Sequence, residues 1–340
     1  MILHIPCVIN KLGYELFSTP YLNSNFRNEP LKRSETIHMD GILPLWKPKG
    51  MTSHDCVFKI RKMLRMKKVG HTGTLDPDVT GVLPICLGKA TKIAEYITNA
   101  GKEYVGEVTL GFSTTTEDAS GEVVQEKQVT RDINRQEIIE VLNSLQGEIQ
   151  QTPPMYSAVK VNGKRLYEYA RKGIEVERPS RWVHIYEIEL LDEREVFSGE
   201  NISFSFRVKC GKGTYIRTLA VTMGELLGYP AHMSALTRIS SGSFSEKECV
   251  TFSDIEKGLE DDQFEHYIQP LVRGLSHLPK MVINDTLAEK VLNGAVLPKD
   301  DFWTYGEQEV AVIYQNQVIA IYKIHPEKPY LIKPVKVLNG

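Results

Sequence analysis

Hydrophobic and polar residues alternate through Ile202, Phe204, Phe206, Val208 and Cys210, with Ser203, Ser205, Arg207 and Lys209 between them. A period of two predicts a strand with one buried face over 202–210. Alternation over Tyr104–Leu110 predicts another. The apolar runs Ile42–Leu45 and Gly81–Leu87 predict buried strands, and 121–129 and 233–239 also read as strands. Elsewhere the period lengthens. Val57, Ile60 and Leu64 stand at helical spacing behind Thr52-Ser53, a capping pair, with Asp55 in the first turn, so a helix is expected over about 54–66. Ile138, Val141, Leu142 and Leu145, ended by Gly147, predict a helix over about 131–146. Ile216, Leu219, Met223 and Leu226 predict one from near Tyr215, stopped by Gly228. Near the end, Val310–Tyr314 and Val318–Ile324 flank Gln315-Asn316-Gln317 and read as a hairpin.

These patterned stretches begin at Met39. Residues 1–38 lack sustained periodicity and read as a disordered extension or as translation from an upstream start codon. The 340 residues are 41% hydrophobic and 25% charged, which allows about two domains with a real core and excludes a collagen-like or largely disordered chain. No apolar run has the length of a membrane span, and Met1–Cys7 does not resemble a signal peptide. The five cysteines form no Cys-x-x-Cys pair. That argues against a disulfide framework or zinc ribbon and suits the reducing cytoplasm.

The net charge of −2 is uninformative, because a basic face can hide in a neutral total. Lys59, Arg61, Lys62, Arg65, Lys67 and Lys68 form such a cluster with no acid among them. It can be a solvated helix face or a phosphate-contacting one. Residues 150–181 interleave Lys160, Lys164, Arg165, Arg171, Lys172, Arg178 and Arg181 with Tyr156, Tyr167 and Tyr169, a mixture suited to looped nucleic acid. Glu168, Glu175 and Glu177 leave room for an ordinary mixed-charge surface. Residues 254–266 are acidic and read as a boundary.

Several familiar motifs fail. Gly81 and Gly88-Lys89 are too far apart for a phosphate-binding loop, and Ala90 replaces its Ser or Thr. Gly211-Lys-Gly213 lacks the third glycine of a dinucleotide fingerprint. The nine histidines offer no metal-ligand spacing. Two features remain. Asp76 sits in the loop His71-Thr-Gly-Thr-Leu-Asp-Pro77; by itself it reads as a turn residue, though such a loop can present a carboxylate at a cleft floor. Arg217 falls in the first turn of a helix, where the macrodipole disfavours a cation. Either it is exposed or an anion holds it. A carboxylate so paired would stay ionised, below its ordinary pKa, and Asp76 is one candidate.

Taken in order, seven stretches resemble the TruB family of tRNA pseudouridine synthases: Gly41-Ile-Leu-Pro-Leu-Trp-Lys-Pro-Lys-Gly-Met-Thr-Ser53, Gly70-His-Thr-Gly-Thr-Leu-Asp-Pro77, Gly81-Val-Leu-Pro84, Lys102-Glu-Tyr-Val-Gly106, Gln151-Thr-Pro-Pro-Met-Tyr-Ser-Ala-Val-Lys160, Gly211-Lys-Gly-Thr-Tyr-Ile-Arg-Thr218 and Ala231-His-Met-Ser-Ala-Leu-Thr-Arg238. The resemblance spans about residues 40–245. It implies an α+β pseudouridine synthase fold, with a mixed, largely antiparallel sheet and flanking helices. The expected organisation is a catalytic domain over 39–250 with an RNA-binding insertion at about 150–181, a linker at 251–269 and a small β-rich PUA-like module over 270–340. It further implies conversion of the T-loop uridine at tRNA position 55 to pseudouridine by a monomer needing neither metal nor cofactor. Asp76 would be the catalytic aspartate and Tyr104 the tyrosine stacked on the target uracil. Arg217 would pair with the aspartate, Tyr215 and Leu236 would line the pocket, His71 would fill the vacated T-loop position, and Lys47 with Pro48 would support the loop.

Two rivals stay open: a catalytically silent RNA-binding or RNA-folding protein, and a small-molecule glycosidase or nucleosidase, which ordinarily relies on two carboxylates or a metal. The lack of pattern in residues 1–38 yields a first prediction. A chain started at Met39 should keep its activity and melting temperature; a large loss of either would mean that the segment packs on the rest.

Overall fold

The strands Gly41–Lys47 and Thr80–Leu87 are apolar almost throughout because they are covered on both faces. Leu43, Leu45, Leu83, Ile85 and Leu87 point into one core and Ile42, Val82 and Cys86 into another. In the computed structural model, which describes residues 39–299 and 303–338, these two strands form one end of a nine-stranded sheet. The path runs Gly41–Lys47, Thr80–Leu87, Ala231–Ser241, Lys102–Leu110, Ile202–Cys210, Arg181–Leu190 and Gly147–Gln151. Along this path the pairing is antiparallel except where Ala231–Ser241 runs beside Thr80–Leu87, with Thr237 opposite Thr80 and Arg238 opposite Gly81. The backbones approach so closely there that a Cβ on Gly81, which has φ +119°, would lie 2.2 Å from the Arg238 carbonyl oxygen. The sheet is mixed and largely antiparallel, as the α+β reading expects. The expectation for residues 1–38 falls outside the described residues.

Helix Ser53–Leu64 starts at the expected cap: Thr52 accepts from the Asp55 backbone N–H, and Asp55 answers at the Thr52 N–H. Helix Ile216–Leu227 ends at Gly228, with φ +86°. Both helices pack apolar residues into the core that holds Tyr104, Val108, Phe204, Phe206 and Val208, but Leu226, expected on the buried face, is exposed and Leu227 is buried in its place. Some expectations were too generous. The strand foreseen at 121–129 is only Val123–Glu126, an exposed hairpin arm against Phe112–Thr114. Helix 131–146 is Arg135–Ser144, because Ile133–Asn134 pairs with Val196–Phe197 instead. The basic cluster divides: Arg61 donates to the Val69 carbonyl and Lys59 lies over the Phe252 ring near Glu256, whereas Lys62, Arg65, Lys67 and Lys68 stay exposed.

The acidic stretch is not a linker. Thr251 and Asp254 form a capping box that starts helix Phe252–Glu260, and Phe252, Ile255 and Phe264 enter the main core. Its carboxylates lie on the outer face of an amphipathic helix, so composition alone mistook a solvated face for a boundary. Beyond it, a five-stranded sheet in the order Lys280–Val282, Val310–Tyr314, Gln317–Ile324, Leu331–Val337 and Leu297–Pro298 follows. The foreseen hairpin is there, turning at Gln315 and Asn316, both with positive φ. Ala311, Ile313 and Ile321 face the core containing Ile42 and Val82, while Val310, Val312 and Ala320 pack with Ala288 and Val291 of helix Asp285–Leu292. Ile255→Ala should therefore cost about 2–5 kcal/mol, read by chemical denaturation. A loss too small to detect would mean that this segment stands outside the cooperative core.

Candidate active site

The loop bearing Asp76 is held by its backbone. Thr72 donates to the Pro84 carbonyl through both its N–H and its hydroxyl. The Ser53 hydroxyl, at the start of its helix, accepts from the Leu75 N–H at 2.8 Å and donates to the Leu75 carbonyl at 3.3 Å. Gly73 takes φ +136°, where a side chain would be strained. Beneath the loop, Lys47 is wholly buried. Its ammonium donates to the carbonyls of Pro48, Met51 and Pro77 at 2.9, 2.6 and 3.0 Å. Burial lowers its pKa, opposed by nearby anions including Asp76. Three carbonyl acceptors fill the three donors of an ammonium, so Lys47 joins the turn after its strand to the residue that follows Asp76.

Arg217 reaches Asp76 from the other side, with Nε 3.0 Å from Asp76 Oδ2. The Arg217 side chain is 6% exposed and that of Asp76 42%, so one edge of the carboxylate opens on the cleft. The fork is not spent on Asp76 alone. Nη1 donates to the Thr116 carbonyl and Nη2 to that of Tyr156, each at 2.9 Å, and Asp118 lies 3.8 Å from Nη1. Glu117 accepts from the Thr218 hydroxyl at 2.7 Å. The helix start that should repel a cation is thus surrounded by carboxylates, which offset its dipole.

This division overturns one expectation. Asp76 does not fall below its ordinary pKa; burial pushes it up, and the attraction of Arg217 only partly offsets that. With one guanidinium nitrogen at the carboxylate and the charge of Asp118 nearby, desolvation prevails.

A cleft of about 260 Å³ brings Asp76, Tyr104, Tyr215, Arg217 and Leu236 together. Tyr104 is buried on its strand, which raises its pKa, so the phenol is neutral. Tyr215 is fixed at the helix start by the Gln151 amide, which accepts from its N–H at 3.0 Å and donates to its carbonyl at 3.2 Å. The Arg181 guanidinium stands 5.0 Å from its ring. His71 is not in the lining. It ends strand Val69–His71, accepts from the Gly73 N–H at 3.3 Å, and is held neutral by burial and then by the charge of Arg238. Lys47 supports the loop from below without reaching the lining.

Lys102, Arg238, Ser157 and Arg181 also line the cleft, and sequence reasoning gave them no role there. Lys102 had a signal: it shares the phase of Tyr104, Gly106 and Val108, a lysine among inward positions. Arg238 had a weaker one, because the bulges between Met233 and Ala235 and between Arg238 and Ser240 break the alternation of its strand. Asp118 was hidden in a turn, where its Oδ1 accepts from Thr116 and Ser120. Among the described residues no group of three or more His, Cys, Asp or Glu could hold a metal ion.

Residues 61–216 match the model of the TruB family pseudouridylate synthase N-terminal domain, and residues 217–301 that of the tRNA pseudouridylate synthase B C-terminal domain. The tRNA pseudouridine synthase B of Geobacillus thermodenitrificans is 59% identical over 302 residues, 88% of this chain and 100% of that protein. That of Bacillus cereus is 58% identical over 300 residues, 88% of this chain and 97% of that one. Among solved structures, a Cbf5-Nop10-Gar1 complex contains a chain that matches with a TM-score of 0.66 and 32% identity, over 88% of this chain and 85% of its own. An H/ACA RNP bound to a substrate RNA containing 2'-deoxyuridine gives 0.65 and 28% over the same shares. Identity of this extent over most of the chain, together with family models that match residues 61–216 and 217–301, means that the chain belongs to the TruB family of pseudouridine synthases.

Proposed function

We propose that this cleft isomerises uridine to pseudouridine in tRNA, with the T-loop uridine at position 55 as its target. The observation that carries the reading is the Asp76 carboxylate, fixed 3.0 Å from Arg217 with one edge open to a cleft walled by Tyr104. The reaction breaks the C1′–N1 bond, turns the uracil, joins C5 to C1′ and releases the C5 hydrogen. Asp76 answers the electron deficiency at C1′, as a nucleophile or as a charge stabiliser. The target base must leave its stack, at a cost of a few kcal/mol. A ring stacked on Tyr104 returns about 1–3 kcal/mol, and neutral His71 suits the vacated place. The basic and aromatic segment 150–181 and the module from about 270 onward supply further contact with the RNA.

Incubation with an unmodified tRNA transcript followed by mapping of pseudouridine tests the reading. A single modified position in the T-loop is expected. Tight binding without any modified base would instead favour an RNA-folding protein.

Two predictions follow from the site's electrostatics. Because burial raises the Asp76 pKa and the carboxylate form is the active one, kcat/KM should fall as pH drops through a value above the ordinary aspartate range; an acid limb at or below that range would contradict it. Arg217→Lys keeps a charge but cannot reach Asp76 and the carbonyls of Thr116 and Tyr156 at once. It should lose at least about tenfold in kcat, roughly 1.4 kcal/mol of transition-state stabilisation, and full activity would mean that charge alone suffices.

A further inference from the structure

Lys102 and Arg238 are buried at the cleft, and among the described residues neither has a carboxylate oxygen within 4.0 Å. Arg238 is wholly buried. Its Nε donates to the Val82 carbonyl at 2.7 Å and Nη2 to that of Gly73 at 3.3 Å, while Nη1 has no hydrogen-bond partner. Lys102 donates to the carbonyls of Thr98 and Ala100 at 2.8 and 3.0 Å, which leaves one N–H of its ammonium. The two side chains converge. A Cβ on Gly73 would sit 3.4 Å from Lys102 Cε and 3.7 Å from Arg238 Nη1, so both reach the loop of Asp76. Arg238 is also the cross-strand partner of Tyr104.

A buried cation without a counter-charge is costly. That cost has a use where negative charge appears during reaction. When C1′–N1 breaks, its electron pair leaves with the uracil, which becomes an anion spread over N1, O2 and O4. We propose that Lys102 and Arg238 form a cationic floor that stabilises this departing uracil anion, an inference that rests on the pseudouridine synthase reading. Neither group gives up a proton; each holds the charge through its N–H bonds. The charge disappears when C5 supplies the electron pair of the new bond to C1′, after which C5 loses its proton and N1 gains one. Atoms and electrons balance without a co-reactant.

Burial, and then the charge of Arg238, bring Lys102 down to about 8. Burial pushes its cross-strand partner Cys210 up to about 11 and raises Tyr104, and the Arg238 guanidinium stands with Lys102 at the same cleft. Across the adjoining cleft stand Glu103, Lys209 and His277, the last lowered from its ordinary value by burial.

The test uses the full chain and an unmodified tRNA transcript. Pseudouridine formation by the wild type first establishes the reading on which the inference rests. Lys102→Gln should then lose about 10²-fold in kcat, the scale of a removed oxyanion donor, with KM and tRNA affinity within about threefold. Lys102→Arg should keep most of kcat and move the alkaline limb of kcat/KM, expected near pH 8 in the wild type, to higher pH. Arg238→Lys should retain more of kcat than Arg238→Gln. If Arg238→Gln fails to fold, the Lys102 series decides. Wild-type kcat in Lys102→Gln, a loss confined to KM, or an unmoved alkaline limb in Lys102→Arg overturns the proposal.

Discussion

Arg217 is a cation buried at the start of a helix, where neither solvent nor the helix dipole favours it. Its burial is sustained by a fork that ends on separate segments: the Asp76 loop, the Thr116 turn and the Tyr156 segment. One guanidinium therefore ties the Asp76 loop, the turn bearing Asp118 and the segment of Tyr156 to a single helix. Removing any partner leaves a buried donor unsatisfied. Lys47 performs the matching task from beneath, with its ammonium on three carbonyls. Between the two, Asp76 is presented to the cleft with little freedom to turn away, which is the preorganisation that a group facing a developing charge needs.

The fold supplies this arrangement through its sheet. Ala231–Ser241 is the strand where antiparallel order gives way to a parallel pair, and Arg238 is placed there, opposite Gly81 on one side and Tyr104 on the other. The cleft opens beside this strand. Its floor collects positive charge and its wall carries the carboxylate. The same asymmetry appears when a glycosidic bond breaks with the electrons leaving on the base, which is the ground for the two proposals above.

Much of this was legible in the sequence where local rules dominate. Capping at Thr52, the stop at Gly228 and the alternation of 202–210 each follow from a single element's own residues. The oddity of Arg217 was legible too, and the structure gives it the anion that its position demanded. The pKa of Asp76 was not legible, because it depends on how the guanidinium divides its donors among distant carbonyls. Arg238 was hidden by bulges that break the period of its strand. The acidic helix Phe252–Glu260 was misjudged because composition weighed its solvated face and overlooked Phe252 and Ile255 at helical spacing.

The account turns on Asp76 acting as a carboxylate, and Asp76→Asn isolates that property, since the amide is nearly isosteric and the loop is held by its backbone. The direct measurement is tritium release from tRNA labelled at C5 of uridine, alongside binding of the same RNA. Binding within a few fold of the wild type is expected, because it is spread over many phosphate and stacking contacts. Turnover should fall by at least about 10³-fold, the scale of a lost nucleophile. Release within about tenfold of the wild-type rate would show that another group carries the chemistry.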